Sequence, residues 1–361
     1  MPGYYAALMS ELRHQANTLQ DLPTHVDTIF FGGGTPSLMR GEWIRELIDC
    51  IRSGYGLAED AEISLEANPG TLSPEYTASL LEAGVNRLSI GVQSFAERDL
   101  ALLGRIHNSS EAVDAIHSAR QAGFANISFD LMFGIPGQSL ADWQANLRQA
   151  VSLEPDHLSL YSLILEPGRQ LFDEVERGKI QPTSEDLSAD MFELAMDMLV
   201  QEGYSQYEIS NWARGEAFEA RHNKIYWKNQ PYLGVGAGAH SSLTGLRVAN
   251  ISSVEDYINK IRSLGSASDI SFPAAVETLE LDPYTVQQET MMLGMRLTRE
   301  GVSEFEFMNR FGKRILDVFP KEVDRIIARK LAEWREFSDG PHLVLTRKGV
   351  PLGNLVFQEF V

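Results

Sequence analysis

The sequence predicts an α/β fold built on a parallel sheet, most simply a partial or complete TIM-type barrel. Strand, loop and helix patterns alternate five times with a period of about 30 residues, which is typical of βα units. Each predicted strand ends in a loop rich in glycine, proline or polar side chains. In parallel α/β folds, ligands bind at that edge of the sheet. A doubly wound sheet is the alternative that these observations leave open.

The predicted elements follow from local patterns. Apolar residues recur at helical spacing in each predicted helix, and short apolar runs mark the strands. The helices cover residues 5–20, 41–52, 74–83, 109–122, 139–152 and 184–202, and the strands cover 26–31, 62–66, 87–92, 126–132, 157–165 and 207–210. Pro74 and Gly84 delimit the third helix, as proline and glycine commonly do. Residues 211–247 are expected to be loop-rich, and residues 265–283 to form a linker.

The C-terminal part differs in charge from the rest. Tyr284–Val361 holds 12 Lys and Arg against 11 Asp and Glu, whereas the first 283 residues hold 19 against 39. Helical patterns at 286–297, 303–311, 321–334 and 346–360, with a hairpin at 336–344, follow winged-helix order. We predict a partial barrel in residues 1–205, an extension in 206–283 and a winged-helix-like domain in 284–361. Because this last unit is nearly neutral, a packing or lid role is favoured over DNA binding.

Composition excludes several classes of protein. The net charge of −19 argues against binding to nucleic acid or to an anionic membrane surface. No run of 18 apolar residues and no secretory signal is found, so we expect a cytoplasmic protein without a transmembrane segment. Peripheral contact with a membrane stays open, and the oligomeric state is not indicated. Cys50 is the only cysteine, so this chain alone cannot ligate an iron–sulfur cluster through cysteines.

Polar residues at successive strand ends form a candidate site, which we call the rim. Three glycines, Gly32 to Gly34, follow the first strand and can bring backbone N–H groups close to a ligand. Glu66 and Asp130 could hold ribose hydroxyls or an ammonium group, Gln93 adds an amide, and Arg105 could pair with a carboxylate. Together they suit a ligand that is both a nucleotide and an amino acid. For each residue alone, a solvated loop or a salt bridge is the simpler interpretation.

Two further motifs have structural alternatives. His222 beside Asn223 could ligate a metal or haem, but a polar loop that packs Tyr226 and Trp227 is the interpretation that the residues alone favour. Gly234–Ser241 formally fits a dinucleotide fingerprint. We reject that interpretation because no good strand precedes it and no good helix follows it. A tight structural loop is expected instead.

Seven segments carry a family resemblance. They are Phe31–Ser37, Glu66–Pro69, Arg87–Phe95, Leu103–His107, Asp130–Gly137, His222–Trp227 and Gly236–Ser241. In this order they closely resemble the radical SAM family that contains oxygen-independent coproporphyrinogen III oxidase and the haem chaperone HemW. The last two segments resemble the haem-chaperone branch rather than the oxidase branch. The resemblance covers nearly the whole chain, including its C-terminal part.

The resemblance implies a partial (β/α)6 barrel that binds S-adenosylmethionine (SAM) at the strand rim. It implies a haem chaperone that passes haem to an unidentified acceptor protein, and a [4Fe–4S] cluster in the intact family member. The residues that it assigns to SAM are Gly33, Gly34, Thr35, Glu66, Gln93, Arg105, Asp130 and Ile164. It also raises His222 as a haem-ligand candidate, and it assigns no catalytic residue and no metal ligand in this chain.

One part of the family pattern is not found. The family carries a C-x3-C-x2-C loop after its first strand, ahead of the helix that begins here near Tyr5. Cys50 lies on a predicted helix and cannot replace those ligands. We therefore expect a truncated form of a longer protein, with the first barrel strand missing, and no radical chemistry from the chain as written. Coproporphyrinogen III oxidase activity and a cluster-free binding protein are the alternatives.

Overall fold

The computed structural model describes residues 1–19, 25–243, 245–264 and 271–361, and it has the predicted α/β architecture. A seven-stranded sheet is surrounded by helices, and two three-stranded sheets follow it in the chain. Within the described residues, no helix combines the length and the apolar character needed to cross a bilayer.

The large sheet is an open barrel. Its strands are β1 Val26–Phe31, β2 Leu57–Ala67, β3 Arg87–Gln93, β4 Ile127–Phe133, β5 His157–Ser162, β6 Ser205–Glu208 and β7 Asn211–Ala213. The spatial order is β1-β2-β3-β4-β5-β7-β6; strands β1 to β5 are parallel, and β7 is antiparallel to both of its neighbours. Among the described residues β1 and β6 pair on one side only, so the barrel does not close. The predicted partial barrel is confirmed.

Helices accompany the strands of this sheet, and most of them pack on its outer face. They are α1 Pro2–Thr18, α2 Gly41–Tyr55, α3 Pro74–Glu82, α4 Glu97–Leu102, α5 Ser109–Ala122, α6 Leu140–Ser152, α7 Gln170–Glu176 and α8 Glu185–Gln201. Helix α7 buries none of its residues. Strand residues such as Leu65, Leu88 and Phe129 are fully buried with helix residues such as Ile48 and Trp143 in one hydrophobic core. Because strand side chains alternate between the two faces, this core fixes which residues point inward.

The inner face of the sheet is polar. Thr28, Glu66, Ser89, Asp130 and Ser159 lie on it, one from each of the five parallel strands. Since each strand also contributes buried apolar residues to the outer face, the inner face is the surface left for a ligand.

The amino-terminal end of the barrel is sealed by α9 (Arg221–Trp227) and the segment before it. Glu62 on β2 accepts hydrogen bonds from the first two backbone N–H groups of α9, at 3.0 and 3.1 Å. Tyr207 on β6 accepts one from the backbone N–H of Ala220 at 3.1 Å and also bonds His157 at 2.9 Å. Glu62, Tyr207 and His157 are buried. This segment therefore bridges β2 and β6 beneath the inner face.

A small antiparallel sheet joins the N-terminal helix to the barrel. It contains β8 His240–Leu243, β9 Leu246–Asn250 and β10 Ala275–Glu280, and it is accompanied by α10 Val254–Arg262. Fully buried Glu11 on α1 accepts hydrogen bonds from the Tyr257 hydroxyl at 2.6 Å, the Gly236 N–H at 2.9 Å and the Asn250 amide at 2.9 Å. One carboxylate thus ties α1, α10, β9 and the glycine loop together.

The glycine loop Gly234–Ser241 is a packing feature. It leads into the strand β8 rather than a helix, which agrees with our rejection of a dinucleotide fingerprint. A Cβ atom at Gly236 would lie 2.7 Å from the Tyr4 hydroxyl oxygen, and one at Gly234 would lie 2.1 Å from the His240 carbonyl oxygen. Glycine is needed at both positions because neighbouring protein atoms approach them closely.

The C-terminal part contains short helices and a three-stranded sheet, and its assignment as a winged-helix-like domain stays a prediction. Its elements are α11 Pro283–Gly294, β11 Val302–Ser303, α12 Glu304–Phe311, α13 Ile315–Val318, α14 Pro320–Ala328, β12 Ala332–Phe337, β13 Gly340–Leu345 and α15 Gly353–Phe357. Strand β13 pairs antiparallel with β11 and β12. The proposed domain boundaries at residues 205 and 283 stay predictions.

Two predicted C-terminal helices were wrong in part. Helix α14 ends before Lys330, which has a left-handed φ of +59°, and Trp334 then lies in β12 opposite Leu343. The predicted helix at 346–360 is limited to α15 and a following 3₁₀ turn. Pro351 explains the late start, because the residue before a proline disfavours helical geometry.

The predicted linker at 265–283 and the loop-rich region were also wrong in part. Residues 265–270 lie outside the described residues, but Ala275–Glu280 forms β10. Most of β10 is exposed, so it lacks the apolar alternation that marks a half-buried strand. Residues 211–247 contain β7, α9 and β8 as short elements, each supported by contacts from distant parts of the chain.

Candidate functional site

The glycine turn after β1 opens onto the rim. Gly33 and Gly34 have φ angles of +74° and +67°, in the left-handed region that glycine adopts without strain. The Gly33 N–H donates a hydrogen bond to Glu66 Oε2 at 3.2 Å. A Cβ atom at either glycine would meet no atom within 4 Å. Backbone geometry therefore requires these glycines, and the space beside them is open to a ligand.

Asp130 is the central carboxylate of the inner face. Its Oδ1 accepts a hydrogen bond from the Ser89 hydroxyl at 2.9 Å. Burial raises the pKa of Asp130 to about 6, against the lowering effect of Ser89 and Ser159. Arg105 faces Asp130; burial lowers the pKa of this arginine and the carboxylate opposes that shift. The two attract each other electrostatically, and they offer an acceptor for hydroxyl groups and a donor for a carboxylate.

Gln93 adopts an unusual backbone conformation. It is the last residue of β3, is nearly buried, and has a φ of +66°. A non-glycine residue held there costs on the order of 1–3 kcal/mol, and such strain clusters at ligand sites. The sequence placed Gln93 at the rim, but it could not indicate this backbone conformation.

The remaining rim residues are placed less tightly. Thr35 Oγ1 accepts a hydrogen bond from the Asn68 amide at 3.4 Å, so it lies between the glycine turn and β2. Ile164 follows β5 and is 77% exposed. In the described part of the chain no polar contact involves Ile164, which shares the rim by position alone. The assigned SAM roles of all these residues stay predictions.

His222 lies beneath the rim, with both ring nitrogens engaged. Nδ1 hydrogen-bonds the Thr28 hydroxyl at 2.7 Å, and Nε2 hydrogen-bonds the Tyr226 hydroxyl at 2.9 Å. Its ring stacks on Phe30, with ring centroids 5.0 Å apart. Burial lowers the pKa of His222 to about 4, so the ring is neutral at pH 7. Iron coordination by this residue would require the loss of one of these two hydrogen bonds.

The inner face carries a second polar cluster, which the sequence analysis did not predict. It consists of Tyr161, Glu208, Asn211 and Arg296, which come from three strands and the segment after α11. Fully buried Glu208 accepts hydrogen bonds from the Ser210 N–H at 3.0 Å and from the Asn211 amide. No described residue hydrogen-bonds Glu208 Oε2. No spacing rule connects residues so far apart in the chain, so no sequence signal identifies this cluster.

The stability of the protein is expected to fall with rising pH through Glu208. Burial raises the pKa of Glu208 from 4.5 to about 7, and Arg296, the Ser210 N–H and Asn211 lower it less. A carboxyl with a raised folded-state pKa stabilises the fold below its unfolded pKa, and this contribution is lost as pH rises toward 7. Between pH 5 and pH 8, the free energy of unfolding of the Glu208→Gln variant should fall by about 1–3 kcal/mol less than that of wild type.

Urea unfolding at both pH values measures this difference. Asp130, whose pKa is also raised, supplies a pH dependence that remains in the variant. Glu193→Gln, an exposed change on α8, is the matched control and should follow wild type. Equal pH dependence in Glu208→Gln and wild type would show that Glu208 does not carry the effect.

Comparisons with known proteins agree with this geometry. Residues 2–150 match the model of the Radical SAM superfamily. The haem chaperone HemW of Bacillus subtilis is 38% identical over 335 residues, covering 92% of this chain and 85% of that protein. The mitochondrial radical S-adenosyl methionine domain-containing protein 1 of Danio rerio is 32% identical over 350 residues, covering 94% of this chain and 75% of that protein.

The chain belongs to the HemW family of radical SAM proteins. Its fold is shared with the solved structure of coproporphyrinogen III oxidase (HemN) from Escherichia coli. The two superpose with a TM-score of 0.80 at 21% identity, over 99% of this chain and 82% of that one.

Membership of this family implies SAM and a [4Fe–4S] cluster, and the residues of this HemW-family chain fit only the first. The carboxylates of Glu66 and Asp130 and the open glycine turn match the ammonium and hydroxyl groups of SAM. Cys50, the only cysteine, lies on α2 in a groove lined also by Met9 and Arg13. The described residues hold no group of three or more His, Cys, Asp or Glu arranged for a metal ion. The described residues therefore do not fit a [4Fe–4S] cluster.

Proposed function

We propose that this HemW-family protein is a cytoplasmic haem chaperone that binds SAM at the rim and passes haem to an acceptor protein. The observation that carries the proposal is the similarity to haem chaperones over most of both chains. The rim supports the SAM part, because Glu66, Gly33 and Asp130 present the required acceptors and donors together. His222 remains a candidate haem ligand on the inner side of α9. The oxidase alternative has less support, since its solved structure is only 21% identical.

Haem binding is the first expected result. Titration of the purified chain with ferric haem should give a saturable change in the haem absorption band at about one haem per chain, and equilibrium dialysis should show SAM binding. When the haem-loaded protein is mixed with an apo-haem protein, haem should move to the acceptor faster than it does from a nonspecific carrier such as albumin. Absorbance changes that never saturate would refute the proposal.

The His222→Gln variant tests the ligand assignment separately. Glutamine keeps a polar side chain toward Thr28 and Tyr226 but removes the imidazole. A changed haem spectrum in this variant supports His222 as the iron ligand. An unchanged spectrum with unchanged affinity assigns the ligand elsewhere and leaves the chaperone proposal standing.

A further inference from the structure

Arg296 is held between two aromatic rings. Its guanidinium carbon lies 4.3 Å from the ring centroid of Trp227 and 5.5 Å from that of Phe357. A planar cation stacked in this way loses rotational freedom but keeps its N–H groups available at the edge. The side chain is thus fixed in place without any of its donors being consumed.

This guanidinium has no anionic partner. Among the described residues, no hydrogen bond and no ion pair involves the Arg296 side chain, and its buried Nε has no acceptor. Glu208 attracts it electrostatically but lies beyond ion-pair distance. By contrast Arg299, three residues on, pairs with Glu216 and Glu219 at 2.8 Å each. A half-buried cation left unpaired is costly, and its charge is best compensated by an anion from a ligand.

The unpaired cation lies near enough to Glu208 and Tyr161 on the inner face for their charges to affect it. Tyr161, 44% exposed on the inner face, interacts electrostatically with Arg296 and also with Asp130. The indole N–H of Trp227 and Oδ1 of Asn211 are buried and have no hydrogen-bond partner in the described structure. An unpaired cation, a free N–H donor and an exposed aromatic ring therefore occur in one part of the molecule, of which Tyr161 lies on the inner face. These are the groups that would bind the edge and the face of a flat, carboxylate-bearing ligand.

We propose that Arg296 binds a propionate carboxylate of a porphyrin that lies on the inner face beside the rim. The proposal rests on the proposed function, since it names the group by which haem is oriented. The planar guanidinium presents parallel N–H donors that match the two oxygens of a carboxylate. Arg296 is the cation, Trp227 and Phe357 hold it, and Tyr161 packs against the macrocycle.

The test uses metal-free protoporphyrin IX and its dimethyl ester, so that iron coordination plays no part. Binding is followed by quenching of tryptophan fluorescence in wild type, Arg296→Met and Arg335→Met. Arg335, on the exposed β12 hairpin, pairs with Glu333 and is the matched control. Wild type and Arg335→Met should bind the diacid at least about tenfold more tightly than the diester, the effect of one charge-assisted contact. Arg296→Met should lose this preference while its affinity for the diester stays unchanged.

Other outcomes overturn the proposal in distinguishable ways. If wild type binds the diacid and the diester with equal affinity, carboxylate recognition is refuted. This comparison uses only the wild-type protein. If Arg296→Met still prefers the diacid over the diester, another residue binds the propionate carboxylate. Weaker SAM binding in Arg296→Met with the porphyrin preference intact assigns Arg296 to the SAM carboxylate instead. Failure of every porphyrin to bind wild type refutes the proposed function itself, and this inference with it.

Discussion

Replacing Glu11 with alanine is expected to lower the free energy of unfolding by about 3–5 kcal/mol. The Glu11 carboxylate is fully buried and accepts three hydrogen bonds, from Tyr257, Gly236 and Asn250. Removing it leaves three buried donors without an acceptor, and each unpartnered donor costs about 1–3 kcal/mol. The substitution weakens the contacts among α1, α10 and β9, through which the N-terminal helix packs on the rest of the protein.

Urea unfolding followed by circular dichroism measures this effect. Glu193→Ala, on the exposed side of α8, removes a carboxylate of the same size and should change the free energy of unfolding by less than about 0.5 kcal/mol. Glu11→Gln keeps the volume and one acceptor oxygen, so it should lie between alanine and wild type. If Glu11→Ala and Glu193→Ala have the same free energy of unfolding, the buried carboxylate of Glu11 does not stabilise the packing of α1 on α10 and β9.

The Asp130→Asn variant is expected to bind SAM about 10- to 100-fold more weakly than wild type. A hydrogen bond to a carboxylate contributes about 1.5–3 kcal/mol, and an amide of equal size loses the charge while keeping the shape. The fold should not suffer, because burial raises the Asp130 pKa to about 6 and the ionised form is therefore disfavoured in the folded state. Equilibrium dialysis with SAM at pH 7.5 measures the affinity.

Two controls make this result interpretable. Asp324→Asn, an exposed change on α14, should leave SAM affinity unchanged. Thermal unfolding without ligand should give a midpoint for Asp130→Asn no lower than that of wild type. An unchanged SAM affinity in Asp130→Asn would remove Asp130 from the site and leave the rim to Glu66 and the glycine turn.

The sequence predicted the parallel strands and the rim because both depend on local signals. Gly33 and Gly34 follow an apolar strand, and capping residues such as Asn108 begin the helices where the polar pattern changes. These features are determined by a few neighbouring residues. Alternation of strand and helix then places Glu66 and Asp130 on one edge, without any knowledge of tertiary contacts.

Features that depend on distant contacts were not predicted. Strand β10 is exposed and exists because it pairs with β9, so its own residues carry little strand signal. Trp334 fits a helical period, but pairing with β13 places it in a strand. The cluster around Arg296 is assembled from β5, β6, β7 and the segment after α11, and only the folded chain brings those parts together. In each case, contacts between distant parts of the chain outweighed the local secondary-structure propensity.

The sealed end beneath the inner face has a kinetic consequence. Because Glu62 and Tyr207 hold the segment before α9 and the start of α9 across the barrel, the amino-terminal end is not a route for a ligand on the inner face. The rim and the open side between β1 and β6 are the routes left. If SAM and porphyrin both leave past the rim, an acceptor protein that docks there would control the timing of both departures.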